Sequence, residues 1–192
     1  MVESGTRLRS KAVVRRLGTL AFALGCVWPA WSADQQLETV GLGRAASETE
    51  IQAWNIDVSP TGEGLPSGSG TVKQGALIFA AKCSMCHGAT GTEGPKDRLV
   101  GGRDTLRTAK PVKTIGSYWP YATTLFDYIR RAMPFPAPQS LTSDEVYAVT
   151  AWLLFQNGIV SEETVIDARA LPQVQMPNRE GFIPDPRPDV SK

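Results

Sequence analysis

The chain of 192 residues is 42% apolar and 20% charged, which fits an ordinary globular protein and excludes a wholly disordered or fibrous one. Its formal net charge of +1 is unevenly spread: residues 1–33 hold five basic groups and one acid, the remainder fifteen basic and eighteen acidic groups. The remainder is thus net acidic, which excludes nucleic-acid binding driven by overall positive charge, and the presence of a single histidine excludes mechanisms that need two, multi-histidine zinc sites included.

Arg7, Arg9, Lys11, Arg15 and Arg16 precede an apolar run from Leu20 to Trp28, and small residues follow at Ser32 and Ala33. That order is the order of an export signal spanning residues 1–33. The run is much shorter than the ~20 apolar residues that cross a bilayer, so cleavage after Ala33 is expected rather than an anchor. Lipid attachment at Cys26 is a second reading of the same stretch. The mature chain is expected outside the cytoplasm, with no membrane span.

Residues 34–69 form an acidic arm in which six acids face only Arg44. Within it, Ser47 and Glu50 make a capping box that predicts a short helix through Ile51, Ala53 and Trp54. Residues 59–70 are dense in turn formers and read as a linker. Thr71 with Gln74 is another capping box, opening a helix through Val72, Gly75, Ile78, Phe79 and Lys82 into Cys83. A further helix is predicted from Ala122, Leu125, Phe126, Ile129, Ala132 and Met133, stopped by Pro134. The last helix has Thr142 and Glu145 as its box, Leu141 to staple onto Val146, and Asn157-Gly158 as its stop. No run alternates as a strand would, so the expected fold is all-α.

On this reading residues 70–158 are the folded domain and residues 159–192, with five prolines, a tail. Both arms are expected to order on a partner through Trp54, Ile56, Val58, Leu171, Val174 and Ile183, contributing little to the domain itself. The competing possibility is that they wrap their own domain.

Cys83-Ser84-Met85-Cys86-His87 is the C-x-x-C-H motif of covalent haem c attachment. Its spacing follows from the chemistry: two thiols must reach the two vinyl groups at one porphyrin edge while the next residue presents its imidazole to the iron. Competing readings are a thioredoxin-like pair, a zinc site and a plain disulfide. A redox pair should open a helix after a strand, whereas a helix precedes this one, and zinc lacks further ligands. One covalent haem c on Cys83 and Cys86, with His87 as iron ligand, is therefore expected. With no second histidine, methionine is the usual sixth ligand. Met133 lies 46 residues beyond His87, ends a helix, and precedes Pro134, Pro136 and Pro138, which stiffen an extended loop. Met176 lies in the tail. Met133 is the expected distal ligand, the alternative being a core methionine and a sixth position open or otherwise filled.

Residues 71–158 resemble a class I cytochrome c, through Gly75 and Phe79 on the first helix, the motif at 83–87, Gly94-Pro95, Met133, and Tyr147 and Trp152 on the last helix. The resemblance implies that Gly75 lets the first and last helices cross closely, with Phe79 against an aromatic of the last. It also implies that the Pro95 carbonyl accepts a hydrogen bond from the His87 ring. Trp119 and Tyr121 are candidates to line the haem and contact its propionates. A narrower resemblance rests on Gly41-Leu42-Gly43-Arg44, on residues 53–58, 112–128 and 130–135, and on Met176-Pro177-Asn178-Arg179. These segments are similar to the SoxD-type cytochrome subunit of periplasmic sulfane dehydrogenase. That family partners a molybdenum-containing sulfite-oxidase-like subunit in sulfur oxidation, and some members carry two haem domains. The lone C-x-x-C-H here does not support a two-haem relay, and a sulfite dehydrogenase partner is the alternative.

A haem with both axial positions filled is expected to transfer single electrons, leaving the sulfur site to the partner and a downstream cytochrome c or oxidase as acceptor. Residues 70–158 hold ten basic and six acidic groups, with Lys96, Arg98, Arg103, Arg107, Lys110 and Lys113 close together: a docking or propionate-facing patch, or a solvated loop. Two other functions compete with the dehydrogenase subunit. One is an independent shuttle to a terminal oxidase; the other is a haem catalyst such as a peroxidase, which needs an iron position that opens.

Overall fold

Helix α1 (Glu48–Trp54) starts on its capping box: the Glu50 N–H donates to Ser47 Oγ (3.4 Å) and the Ser47 N–H to the Glu50 carboxylate (2.8 Å). The computed structural model describes residues 42–183 and 185–187, so the expected export signal and Cys26 lie outside the described residues. Residues 45–192 belong to one compact unit and residues up to Arg44 to another, of which Leu42, Gly43 and Arg44 are described.

Thr71 serves two elements. It ends strand β1 (Ser69–Thr71) and caps helix α2 (Val72–Lys82), accepting the Gln74 N–H at 3.2 Å while its own N–H donates to Gln74 Oε1 at 2.9 Å. The attachment motif follows as a single turn, α3 (Ser84–His87). Helix α4 (Ala122–Ala132) buries Ala122, Leu125, Phe126 and Ile129 and has Met133 at its C-cap. Helix α5 (Ser143–Gln156) buries nine consecutive residues, Val146 to Leu154, as a helix covered on all sides does. Strand β2 (Val165–Asp167) pairs antiparallel with β1, Gly70 opposite Ile166. Three-residue strands are too short to show alternation, so the sequence carries no sign of this ribbon. Among the described residues no helix is long and apolar enough to cross a membrane. Apart from this two-stranded ribbon, the architecture among the described residues is helical.

The core is organised by the crossing of α2 on α5. A Cβ at Gly75 would stand 1.9 Å from the Ala148 carbonyl oxygen, so only glycine permits this approach. One turn further on, Phe79 stacks on Trp152 with ring centroids 4.0 Å apart, and Phe126 of α4 meets Tyr147 of α5 at 4.4 Å.

The arms are part of this core, which corrects the expectation that they contribute little to it. Val58 of the N-terminal arm and Ile166, Leu171 and Met176 of the C-terminal one are buried in the same cluster as Phe79, Phe126 and Trp152. Polar side chains tie the arms down: Tyr147 donates to the Pro66 carbonyl (2.8 Å) and Asn178 to that of Tyr118 (2.8 Å). The physical reason is that helices α4 and α5 offer surface to both arms: β1 and β2 lie against α5, while Val58 is bonded to Asp127 of α4 and the 3-10 turn Leu171–Gln173 packs on that helix. Trp54 and Ile183 do remain outside, at 87% and 88% exposed.

Candidate haem site

Helix α2 delivers Cys83 at its C-cap, and α3 turns Cys86 and His87 back over it, both N–H groups donating to the Cys83 carbonyl at 3.1 and 3.0 Å. Gly94 runs so close behind this turn that a Cβ there would meet the Cys86 carbonyl oxygen at 2.2 Å. The Lys96 N–H then donates to that same carbonyl (2.9 Å). This tie carries the chain past Pro95 before it turns to the imidazole. The partner of His87 Nδ1 is accordingly the carbonyl of Asp97, at 2.9 Å, and the expectation of Pro95 in that role is corrected. An Nδ1–H held by a carbonyl fixes the tautomer in which Nε2 carries the free lone pair, as a metal-binding imidazole requires.

Cys83, Cys86, His87 and Met133 all line one cavity of about 670 Å³, within the range of roughly 300–1,000 Å³ common for cofactor sites. Its walls are apolar: Phe79, Leu99, Ile115, Leu125, Ile129 and Leu153. Trp119 also lines it, its ring edge-on to Tyr128 at 5.8 Å. Tyr121, expected beside it, lies under Arg179 instead, 4.5 Å from guanidinium to ring centroid. Met176 is buried in the core and does not line the cavity. Met85 and Phe135 stand at the rim, 82% and 81% exposed. The basic stretch divides: Lys96, Arg98 and Lys113 reach the cavity, whereas Arg103 donates to the Asn157 carbonyl (3.2 Å).

Two thiols beside an oriented imidazole, a thioether and apolar walls are the donor set and surroundings of a haem c. The competing readings fare worse. Burial, with Cys86 adding to it and Lys82 opposing, pushes the Cys83 thiol up to about 11, the reverse of the depressed value that makes a thioredoxin-like pair reactive. Among the described residues no three His, Cys, Asp or Glu side chains gather to hold a metal ion such as zinc.

Leu99, Ile115 and the Asp97 carbonyl come from residues 88–120, a stretch without helical or strand period, and these three contributions sequence reasoning missed. Its shape is held by hydroxyls: Ser117 Oγ accepts the Thr114 N–H (2.9 Å) and donates to the Val112 carbonyl (2.7 Å), and Thr105 donates to Gly102 (2.6 Å). The density of Ser and Thr there was the available signal.

Comparison with known proteins agrees with this geometry. Residues 70–153, less than half of the chain, match the family described as cytochrome C oxidase, cbb3-type, subunit III. No curated protein matches. Among solved structures, the crystal structure of the sulfane dehydrogenase SoxCD from Paracoccus pantotrophus is 46% identical, over 79% of this chain and 75% of that one, with a TM-score of 0.72. The chain belongs to the SoxD-type cytochrome subunits. A SoxD-type subunit carries a haem c domain, and this one is a haem electron-transfer subunit. The SoxCD likeness extends well beyond residues 70–153, so it includes arm residues that the general cytochrome match omits.

Proposed function

We propose that this chain is a monohaem c-type cytochrome that takes electrons one at a time from a molybdenum-containing sulfane or sulfite dehydrogenase subunit in sulfur oxidation. The observation that carries the reading is the convergence of both motif thiols, the His87 ring and Met133 on one apolar cavity, in a chain similar to SoxCD over 79% of its length. Bound there, a haem supplies one-electron Fe(III)/Fe(II) chemistry. Cys83 and Cys86 would hold it by thioether bonds, and His87 and Met133 would bind its iron. The Asp97 carbonyl orients His87, while Phe79, Leu99, Ile115, Trp119 and Leu153 keep water from the cavity. Met ligation and an apolar shell both favour the reduced state. With both His87 and Met133 holding the iron, the sulfur-binding site would belong to the partner.

The partner is proposed to lie against α1, a capped helix with no fully buried residue, on which Ile51 and Trp54 are exposed. The basic, apolar and small residues of 1–33 support export to the periplasm, and a further cytochrome c or an oxidase would be the acceptor. Purification from the native host tests the assignment. A co-eluting molybdenum subunit, with one haem and no free thiol in the mass spectrum of the mature chain, is the expected result. Elution alone with full reactivity toward a terminal oxidase would instead establish an independent shuttle.

A further inference from the structure

One stripe of α4 is bonded to the backbone of the N-terminal arm. Thr123 Oγ1 donates to the Pro60 carbonyl (3.1 Å), the Asp127 carboxylate accepts the Val58 N–H (2.9 Å), and Arg130 donates to the Ile56 carbonyl (2.9 Å). The helix positions are three and four residues apart, about one 5.4 Å turn. Their partners are alternate residues of the arm, and two residues of extended chain rise about 6.6 Å. The two repeats match closely enough for three consecutive bonds, with the arm antiparallel to the helix and running away from its Met133 end.

Asp127 differs from the other two positions. It is only 7% exposed, and besides the Val58 N–H its Oδ1 accepts Arg131 Nε at 2.9 Å, while Oδ2 pairs with Arg131 Nη2. One carboxylate thus joins the arm to the last turn of α4, two residues before Met133, whose own N–H donates to the Ile129 carbonyl (3.0 Å). An apolar residue would cover the groove without the cost of burying charge. What a carboxylate adds is direction: it fixes where the helix end sits relative to the strap.

We infer that Asp127 is a positioning residue for Met133, tying the arm to the end of α4 so that the thioether stays at the cavity and other ligands are kept from its place. The inference rests on the reading of Met133 as the distal ligand. A thioether is a weak ligand, and an added base gains the position only in the fraction of molecules where Met133 has left. Its apparent affinity therefore rises in proportion to that fraction.

Imidazole titration of the oxidised holoprotein, with the sulfur-to-iron charge-transfer band recorded alongside, tests this. Loss of a hydrogen bond to a charged group predicts imidazole binding about tenfold tighter in Asp127→Asn. Asp127→Glu, which keeps the carboxylate, should restore most of the difference. Thr123→Val, isosteric and at the far end of the strap, should shift affinity in the same direction by less. Thr142→Ala, which weakens a helix cap away from the strap, should lower the urea midpoint and leave imidazole affinity unchanged. Met133→Ala separates the two readings: if it changes neither band nor affinity, the ligand assignment fails. If it changes both while Asp127→Asn and Thr123→Val bind imidazole as the parent does, the ligand stands and the positioning role of Asp127 is overturned. Should Asp127→Asn not retain haem, Arg130→Met, which cuts the strap at Ile56, decides the question by the same measurement.

Discussion

Helices α1 and α5 begin alike and come to rest in opposite surroundings. Each opens on a hydroxyl residue with glutamate three positions on, at nearly the same N-cap angles: φ −72°, ψ 157° for Ser47 and φ −68°, ψ 161° for Thr142. Helix α5 then buries nine consecutive residues and α1 none. A capping box satisfies the orphan N–H groups of a first turn and starts a helix; what covers that helix is decided elsewhere. For α5 the decision is made by Gly75, which admits the α2 backbone against Ala148, and by the aromatic pairs that follow. The same cap therefore serves a cavity wall, through Val149 and Leu153, and an exposed helix proposed to meet a partner.

The sharpest way to break this contrast is to truncate a tryptophan on each helix. Trp152→Ala removes the ring stacked on Phe79 and should cost about 3–5 kcal/mol, whereas Trp54→Ala should stay within about 0.5 kcal/mol of the parent. Urea unfolding of the holoprotein followed by haem absorbance measures both, and equal losses would mean that α1 is packed in solution. Trp54→Ala should nevertheless weaken binding to the molybdenum subunit by about tenfold or more, as loss of an interface hot spot does.

Gly75→Ala should cost about 1–3 kcal/mol by overpacking the crossing, read as a lower Tm; a neutral outcome would show that α2 can shift on α5. Of the caps, Thr142→Ala should cost about 1 kcal/mol. Ser47→Ala should leave the global midpoint unchanged and only speed amide exchange within α1, because a helix that buries nothing opens locally.

The smallest expected effect concerns acid. The Lys82 ammonium, 2.9 Å from Glu145, and the Thr142 N–H hold the Glu145 carboxyl below the ordinary glutamate value. A lowered folded value means that the stabilisation is complete above the unfolded value, about 4.3, and is lost as the pH falls from there through the folded value. Glu145→Gln should flatten the acid limb of the stability profile in that window. Unchanged curvature would assign the acid sensitivity to other carboxylates.

The attachment motif, the helices α1, α2, α4 and α5, and the place of Met133 at the end of α4 were legible in the sequence. Each rests on a short-range pattern: adjacent motif residues, a cap and its box, a period of three and four, a methionine at a proline-stopped helix end. Other features depended on which segments meet in space. The Asp97 carbonyl took the place expected of Pro95 because Lys96 is tied back to Cys86; Tyr121 went under Arg179 rather than into the cavity. The arms followed the same logic. Their apolar residues were visible, but such residues look the same in sequence whether the arm lies on its own domain or on another protein. Only the surfaces of α4 and α5 decide between them, burying Val58 and Leu171 at home and leaving Trp54 outside, because burial is a property of two surfaces and a sequence pattern describes one.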